Sequence, residues 1–354
     1  MNIPDNTPMH ILQPGDTYER FLQPLGCRIM STVKQEDDEA EWLRTRTRGI
    51  GGSDIGPICN VSPFTSPRQL YLTKTGQYPD GLAKDEGRQE RMHFGHKLEP
   101  IVASEYIERH NKDKPEEEHL YAFDINVTLA HKDYPWALAN VDRLLVNVHG
   151  DVVGVLECKT TSEYMNDEWN EGEVLLTYLY QLQWYLFVTG IPFGAIACIV
   201  GGNKFYSYEI FRDDNLINTV LLPAAKHFWF ENVAKLIEPE MQAVDTEFAN
   251  EIYSMVIKGS EKTFTDESAD AIVAEFVRYR EAEKEAKELK EAAQNKIKDL
   301  LKETEIGYTA NYVVKWSGQS QRRVNTDLLK STFPEVYEAV LKTITFRRMM
   351  VKGT

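Results

Sequence analysis

The stretch Asp151–Ser162, DVVGVLECKTTS, limits what this chain can be more tightly than any other. Val152–Leu156 is a short, apolar, β-branched run of the kind that forms a buried strand. It runs into Glu157-Cys158-Lys159 instead of a turn. Alternate side chains of a strand share a face, so Glu157 and Lys159 point one way and Cys158 the other. Charges at the end of a buried strand are costly unless they pair or hold a metal. Two readings follow: a plain Glu–Lys ion pair, or a site built around a divalent cation.

With 354 residues the chain can form one large domain or two smaller ones. No apolar run has the length of a membrane span, and the first residues show no basic region followed by an apolar core, so a cytoplasmic protein is expected. Its four cysteines, Cys27, Cys59, Cys158 and Cys198, are scattered and form no C-x-x-C, which argues against zinc ribbons and disulfide frameworks. The formal net charge of −15 disfavours a protein that coats nucleic acid. A local basic track on an acidic exterior is still compatible with phosphate binding.

Turn formers dominate residues 1–35, read as an extended arm. A helix is expected over 36–47, with Trp42 and Leu43 buried. Gly49, Gly51 and Gly52 precede Ser53, read as a helix cap, and Ser66 with Pro67 opens a helix that closes at Gly76. Residues 91–110 read as a helix with a break or kink at Pro100. Three strands follow, LYAFDINVTLA, WALANVDRLLVNV and DVVGVLECK, then a helix ending at Gly190, the strands GAIACIVGG and KFYSYEIFR, and a helix over 216–237. This order predicts an α/β fold with a mixed central sheet flanked by helices. Apolar residues at three- and four-residue steps predict one long amphipathic helix over 268–303. A small α/β tail follows, made of YTANYVVKWSG, the helix NTDLLKSTFPEVYEAVLK and the strand TITFRRMMVK. The expected organisation is an arm (1–35), a core (36–240) and a C-terminal extension (241–354).

A phosphodiester-cleaving centre needs carboxylates that hold Mg²⁺ beside the phosphate and a group that orients water. Mg²⁺ keeps several waters, so two or three acidic side chains suffice. Asp142 lies one strand back from Glu157 across a short hairpin, and neighbouring strands are about 5 Å apart. Glu99 is a third candidate from the upstream helix, and Lys159 shares the face of Glu157. His93 and His96 precede Glu99 at helical spacing, but Mg²⁺ does not favour imidazole. Trp184 and Tyr185 read as core, and no G-x-x-x-x-G-K-[ST] accompanies the glycine pair at 51–52.

An Asp followed one strand later by Glu-x-Lys is the pattern of the PD-(D/E)XK nuclease superfamily. WLRTRTRGIGGSDIG, HFGHKLEP, ANVDRLL, GVLECKT and YLYQLQWYLFVTG follow one another in an order and spacing that resembles the lambda-exonuclease/YqaJ-like viral recombinase family. The resemblance covers roughly residues 41–229. It implies a PD-(D/E)XK core in which Asp142, Glu157 and the main-chain carbonyl of Cys158 bind Mg²⁺, with two ions expected and Mn²⁺ able to substitute. Glu99 would support the second ion or its water shell, Lys159 would position the attacking water, and Gln181 would contact that water or the phosphate. A 5′-terminal phosphate would be held by Arg46 and Ser53, with Arg48 a competitor. Arg48, Arg143 and Tyr178 are candidate DNA contacts. Two departures stand out: Arg143 follows Asp142 where the family often has Gly, and Leu175–Thr177 replace a Pro ahead of the Tyr-x-x-Gln helix.

The resemblance further implies 5′-to-3′ digestion of one strand of linear double-stranded DNA. It implies a ring-shaped homo-oligomer, most simply a trimer, around DNA ends. A single-strand annealing protein is the expected partner, docked through the C-terminal extension. The alternatives are a PD-(D/E)XK endonuclease, a DNA-repair nuclease, or a non-catalytic DNA-end-binding protein. Repair nucleases with an iron–sulfur cluster need four clustered cysteines, which this chain lacks.

Overall fold

A computed structural model describes residues 22–33, 37–77, 86–170, 172, 174–342 and 346–352. The chain forms two compact units, Met1–Glu247 and Phe248–Thr354. The first contains β1 (Cys27–Ser31), α1 (Glu39–Thr47), α2 (Gly52–Ile58), α3 (Pro67–Lys74) and α4 (Glu86–Asn111). These are followed by β2 (Leu120–Phe123), β3 (Thr128–His131), β4 (Leu138–Ala139), β5 (Arg143–Asn147) and β6 (Val152–Thr161). The set closes with α5 (Asn166–Asn170), α6 (Leu176–Thr189), β7 (Phe193–Val200) and β8 (Lys204–Phe211). A five-stranded sheet in the order β2-β5-β6-β7-β8 forms the core, and β1, β3 and β4 make a smaller sheet. Among the described residues, β6–β7 is the one parallel pair of the central sheet. The protein is therefore α/β with a mixed central sheet, as its element order predicts.

Helices cover both faces of that sheet. Val102, Ala103 and Tyr106 of α4 pack on Leu145, Leu156, Ala195 and Ala197, with Cys158 against the same cluster. Leu182 of α6 lies over Gly194 on the other face, where a β-carbon would sit 2.8 Å from it. The buried Trp184 indole donates to the carbonyls of Ile50 and Leu138, at 3.2 and 3.1 Å, and so ties α6 to the smaller sheet. Along α2, glycines at 52 and 56 let the helix approach α6. A β-carbon at Gly52 would stand 2.4 Å from the Tyr185 ring, and one at Gly56 2.3 Å from Thr177 Oγ1.

Several elements differ from the sequence reading. The segment LYAFDINVTLA is two strands in different sheets, β2 and β3, separated by Asn126 in the left-handed region at φ 46°. WALANVDRLLVNV likewise divides into β4 and β5, leaving Asp142 between them. Residues 27–31, read as arm, are a strand antiparallel to β3; residues 1–21 lie outside the described residues. Leu43 is 50% exposed, and Thr45 is the buried residue of α1. Helix α2 is capped at Gly51 rather than Ser53, and the Gly51 N–H donates to Asp54 Oδ2 at 2.7 Å. Ser66 does cap α3, accepting from Gln69 N at 3.1 Å. Helix α4 passes through Pro100 without interruption. The helix expected over 216–237 alternates α and wide π turns from Asp214 to Val233. Pro223 lacks the N–H that a regular turn would use there.

The second unit contains α7 (Glu267–Leu301), the antiparallel pair β9 (Ile306–Tyr308) and β10 (Val313–Lys315), and two short helices, α8 (Thr326–Thr332) and α9 (Pro334–Val340). The single helix expected over 325–342 is cut at Phe333, because Pro334 disfavours helical geometry in the residue before it. Of the strand expected over 343–352, residues 343–345 lie outside the described residues, and 346–352 form no strand. No helix among the described residues is long and apolar enough to cross a membrane.

Gly52→Ala should lower stability by about 1–3 kcal/mol through overpacking against Tyr185, which is itself buried. Urea unfolding checks this; an unchanged midpoint would show that the two helices have room to spare.

Candidate active site

The register of β5 and β6 ends at Arg143↔Leu156, while β6 goes on to Thr161 with, among the described residues, β7 alone beside it. The Cys158 N–H therefore has no β5 carbonyl to meet. It donates instead to Asp142 Oδ2 at 2.8 Å, bringing that carboxylate to the open end of the sheet. Glu157 and Lys159 point to the α6 face, and the Cys158 side chain packs on the α4 face.

A connected polar set forms on the α6 face. Lys159 Nζ donates to Glu157 Oε1 at 2.5 Å and to Gln181 Oε1 at 3.1 Å. Gln181 Nε2 donates to Glu157 Oε1 at 2.5 Å and to the Tyr185 hydroxyl oxygen at 3.1 Å. The Lys159 ammonium also stands 4.9 Å over the Tyr178 ring, which stacks on Trp169 of α5. Helix α6 begins at Leu176 without a side-chain cap, and Tyr178 and Gln181 fall in its first two turns. Their spacing of three residues puts them on one helical face.

On the other side Glu99 rises from α4. Its Oε1 takes a short charge-assisted bond from Arg143, which also donates to the Asp142 main-chain carbonyl at 2.5 Å. Arg143 is only 8% exposed. A candidate DNA contact in the sequence reading, it turns inward onto Glu99. His96 Nδ1 lies 4.0 Å from the other Glu99 oxygen.

The electrostatics show crowded negative charge. Burial, then the Asp142 charge, pushes Glu157 up to about 8 against the pull of Lys159. Burial and Asp142 likewise push Glu99 up to about 7, opposed by Arg143. Asp142 is raised by burial. Burial alone would lower Lys159, but the Glu157 and Asp142 carboxylates outweigh it and hold the ammonium protonated. Burial keeps the Cys158 thiol protonated.

A second polar group lies at the start of α2. Arg46 Nη2 donates to Ser53 Oγ at 2.9 Å, with its guanidinium 4.6 Å over the Trp42 ring. Arg48 instead faces Glu41 at 3.8 Å. Tyr185 links the two groups: its hydroxyl accepts from Gln181 and its ring packs on Gly52, beside Ser53. Lys74, which sequence reasoning missed, sits behind Arg46. Its ammonium pairs with Asp54 at 2.6 Å and donates to the carbonyls of Arg46 and Gly49 at 2.7 and 2.8 Å. A lysine in the last turn of a helix is ordinary; its burial, with a side chain 4% exposed, had no signal in sequence.

Glu157 Oε2 is buried with no hydrogen-bond partner among the described residues. A buried carboxylate oxygen without a donor, beside a second carboxylate, fits a hard divalent cation held by oxygen ligands. Among the described residues no group of three or more His, Cys, Asp or Glu side chains is placed to hold a metal ion. That agrees with Glu99 being drawn onto Arg143 and leaves Asp142 and Glu157 as the direct candidates.

Residues 41–192 match the YqaJ-like viral recombinase domain. A Bacillus subtilis (strain 168) protein, uncharacterized protein YqaJ, is 36% identical over 324 residues, 88% of this chain and 93% of its own. Among solved structures, the alkaline exonuclease LHK-Exo from Laribacter hongkongensis is 18% identical, covering 55% of this chain and 93% of its own with a TM-score of 0.44. LHK-Exo in complex with dAMP gives a TM-score of 0.45 at the same identity and coverage. The identity to YqaJ, sustained along nearly the whole of both chains, shows that this chain belongs to the YqaJ-like viral recombinase family.

Proposed function

We propose that this chain is a Mg²⁺-dependent exonuclease of the PD-(D/E)XK type. It would digest one strand of linear duplex DNA from a 5′-phosphorylated end, releasing mononucleotides and leaving 3′ single strands for recombination. The observation that carries this reading is the buried set of Asp142, Glu157, Lys159 and Gln181, with one Glu157 oxygen lacking a donor. Its chemistry is that of a phosphodiester hydrolase, and family membership supports a role in recombination.

In this reading Asp142, Glu157 and the Cys158 main-chain carbonyl hold the metal, and Glu99 supports a second ion or its water shell. Mg²⁺, when bound, supplies positive charge against the scissile phosphate. Lys159 stays an ammonium, so it orients water by donating hydrogen bonds and does not take the proton. Gln181 fixes that ammonium through its carbonyl oxygen and fixes Glu157 through its amide. Tyr178 restricts the lysine from the open side. Arg46 and Ser53 form the seat for the 5′-terminal phosphate, since a guanidinium matches phosphate with paired, charge-assisted bonds. A ring of three chains would hold DNA by topology despite the net charge of −15. The C-terminal extension would then be free to dock an annealing protein.

Wild-type protein with Mg²⁺ should degrade 5′-phosphorylated linear duplex and spare a closed circle. Lys159→Ala should lose at least about 100-fold in rate, the scale of one preorganised hydrogen-bond donor at the reacting centre. Equal digestion by the variant, or none by wild type, would sink the proposal; cutting of the circle would make it an endonuclease. Arg46→Ala should slow digestion of phosphorylated ends while leaving the slower reaction at unphosphorylated ends unchanged.

The raised carboxylates also predict how the metal-free protein responds to pH. Glu157 moves from its ordinary 4.5 to about 8, so the folded state binds the proton more tightly than the unfolded chain. The associated stability is present below pH 4.5 and is lost as pH rises through 8. Melting in a chelator should show lower Tm at pH 8 than at pH 5. Glu157→Gln should flatten that slope, and Mg²⁺ should restore Tm at pH 8 in wild type. An identical pH slope in Glu157→Gln would refute this assignment of the charge.

A further inference from the structure

A cleft of about 280 Å³ opens between the C-terminal end of α4 and the edge strand β8. Tyr106, Arg109, His110, Lys112 and Lys114 line one wall, and Ser207 and Glu209 line the other. It lies across the sheet from Lys159. Glu209 pairs in register with Ala195 and Ala195 with Leu156, both on the face that α4 covers.

Three features distinguish this cleft from an ordinary basic surface. Tyr106 is 3% exposed, yet its hydroxyl is buried with no hydrogen-bond partner among the described residues. Buried hydroxyls are almost always bonded, so an oxygen of this kind at the wall of a cleft is a donor waiting for an acceptor. Arg109 is held in place, its guanidinium 4.6 Å over the Phe205 ring and its Nε on Glu105 at 2.6 Å, so its terminal nitrogens are presented rather than floating. The charges are also unbalanced. Arg109, Lys112 and Lys114 outnumber the two nearby carboxylates, Glu209, which accepts from His110 Nδ1 at 3.3 Å, and Glu105, which holds Arg109. Burial and the Glu209 charge hold the proton on Tyr106, so its hydroxyl is available to donate.

We propose that this cleft binds a phosphate group, with Arg109, Lys112 and Lys114 supplying charge and the Tyr106 hydroxyl and Ser207 supplying directed hydrogen bonds. The phosphate could be a free anion or part of a nucleic-acid backbone passing along the β8 edge. The site does not depend on the nuclease reading, because it uses none of the same residues.

The test is calorimetric titration of the full-length chain carrying Arg46→Ala, in a chelator at neutral pH, so that neither the 5′-phosphate seat nor a metal contributes. Two probes are used: inorganic phosphate, and a single-stranded oligothymidylate without terminal phosphates. Binding of either should fall by about tenfold in Tyr106→Phe, which keeps the ring and removes one bond to a charged group. It should fall further in Arg109→Ala/Lys114→Ala, whose side chains are on the surface and whose loss leaves the core intact. Phosphate binding identifies a free-anion site, and binding of the oligonucleotide alone identifies a strand path. Failure of both probes to bind, or binding unaltered by Arg109→Ala/Lys114→Ala, would overturn the proposal. Equal unfolding midpoints for Tyr106→Phe and its parent separate loss of the bond from loss of the fold.

Discussion

Past Leu156, β6 has β7 on one side and, among the described residues, no strand on the other, so the Cys158 N–H must find a different acceptor. It finds the Asp142 carboxylate. A buried N–H left unpaired costs on the order of 1–3 kcal/mol, so this bond is as much a part of the fold as any rung of the sheet. It also fixes where the acid stands. The same extension of β6 carries Glu157 and Lys159 beyond the last β5 rung and under α6, where Gln181 closes the group. The centre is thus a consequence of two neighbouring strands having unequal reach.

Burying several carboxylates together is unfavourable, and the protein offsets it with cations placed on opposite faces of the sheet. Lys159 answers Glu157 on the α6 side, and Arg143 answers Glu99 on the α4 side. Asp142 lies between the two pairs and acts electrostatically on both acids. The compensation is incomplete, since Glu157 and Glu99 both remain well above ordinary carboxylates. A divalent ion would relieve that cost and let the carboxylates ionise in a dry site.

The centre was legible in the sequence because it rests on strand alternation and on a hairpin, both local. Glu157 and Lys159 share a face for no reason other than the period of two, and Asp142 is brought near by the short turn at Gly150. The inward turn of Arg143 was not legible. Nothing in ANVDRLL says that the α4 carboxylate of Glu99, 44 residues earlier, will take the guanidinium. The split strands escaped for a related reason. Apolar periodicity continues across Asn126 and across 140–142, and only the positive φ at Asn126 and the tertiary demand for a second sheet divide them. Glycines 52 and 56 could be seen as motif letters, but their role as contact points for Tyr185 and Thr177 needs the neighbouring helix in place.

The buried ammonium of Lys74 has an architectural consequence. The backbone of Arg46 is gripped by a side chain 28 positions further along, and that side chain is itself neutralised by Asp54. The segment from 46 to 74 is therefore a closed loop, cinched at its base by one cation. Length changes inside it, however innocuous at the surface, would shift the lysine relative to the arginine, whereas insertions after position 74 would not. Natural variation in length is expected to respect that knot.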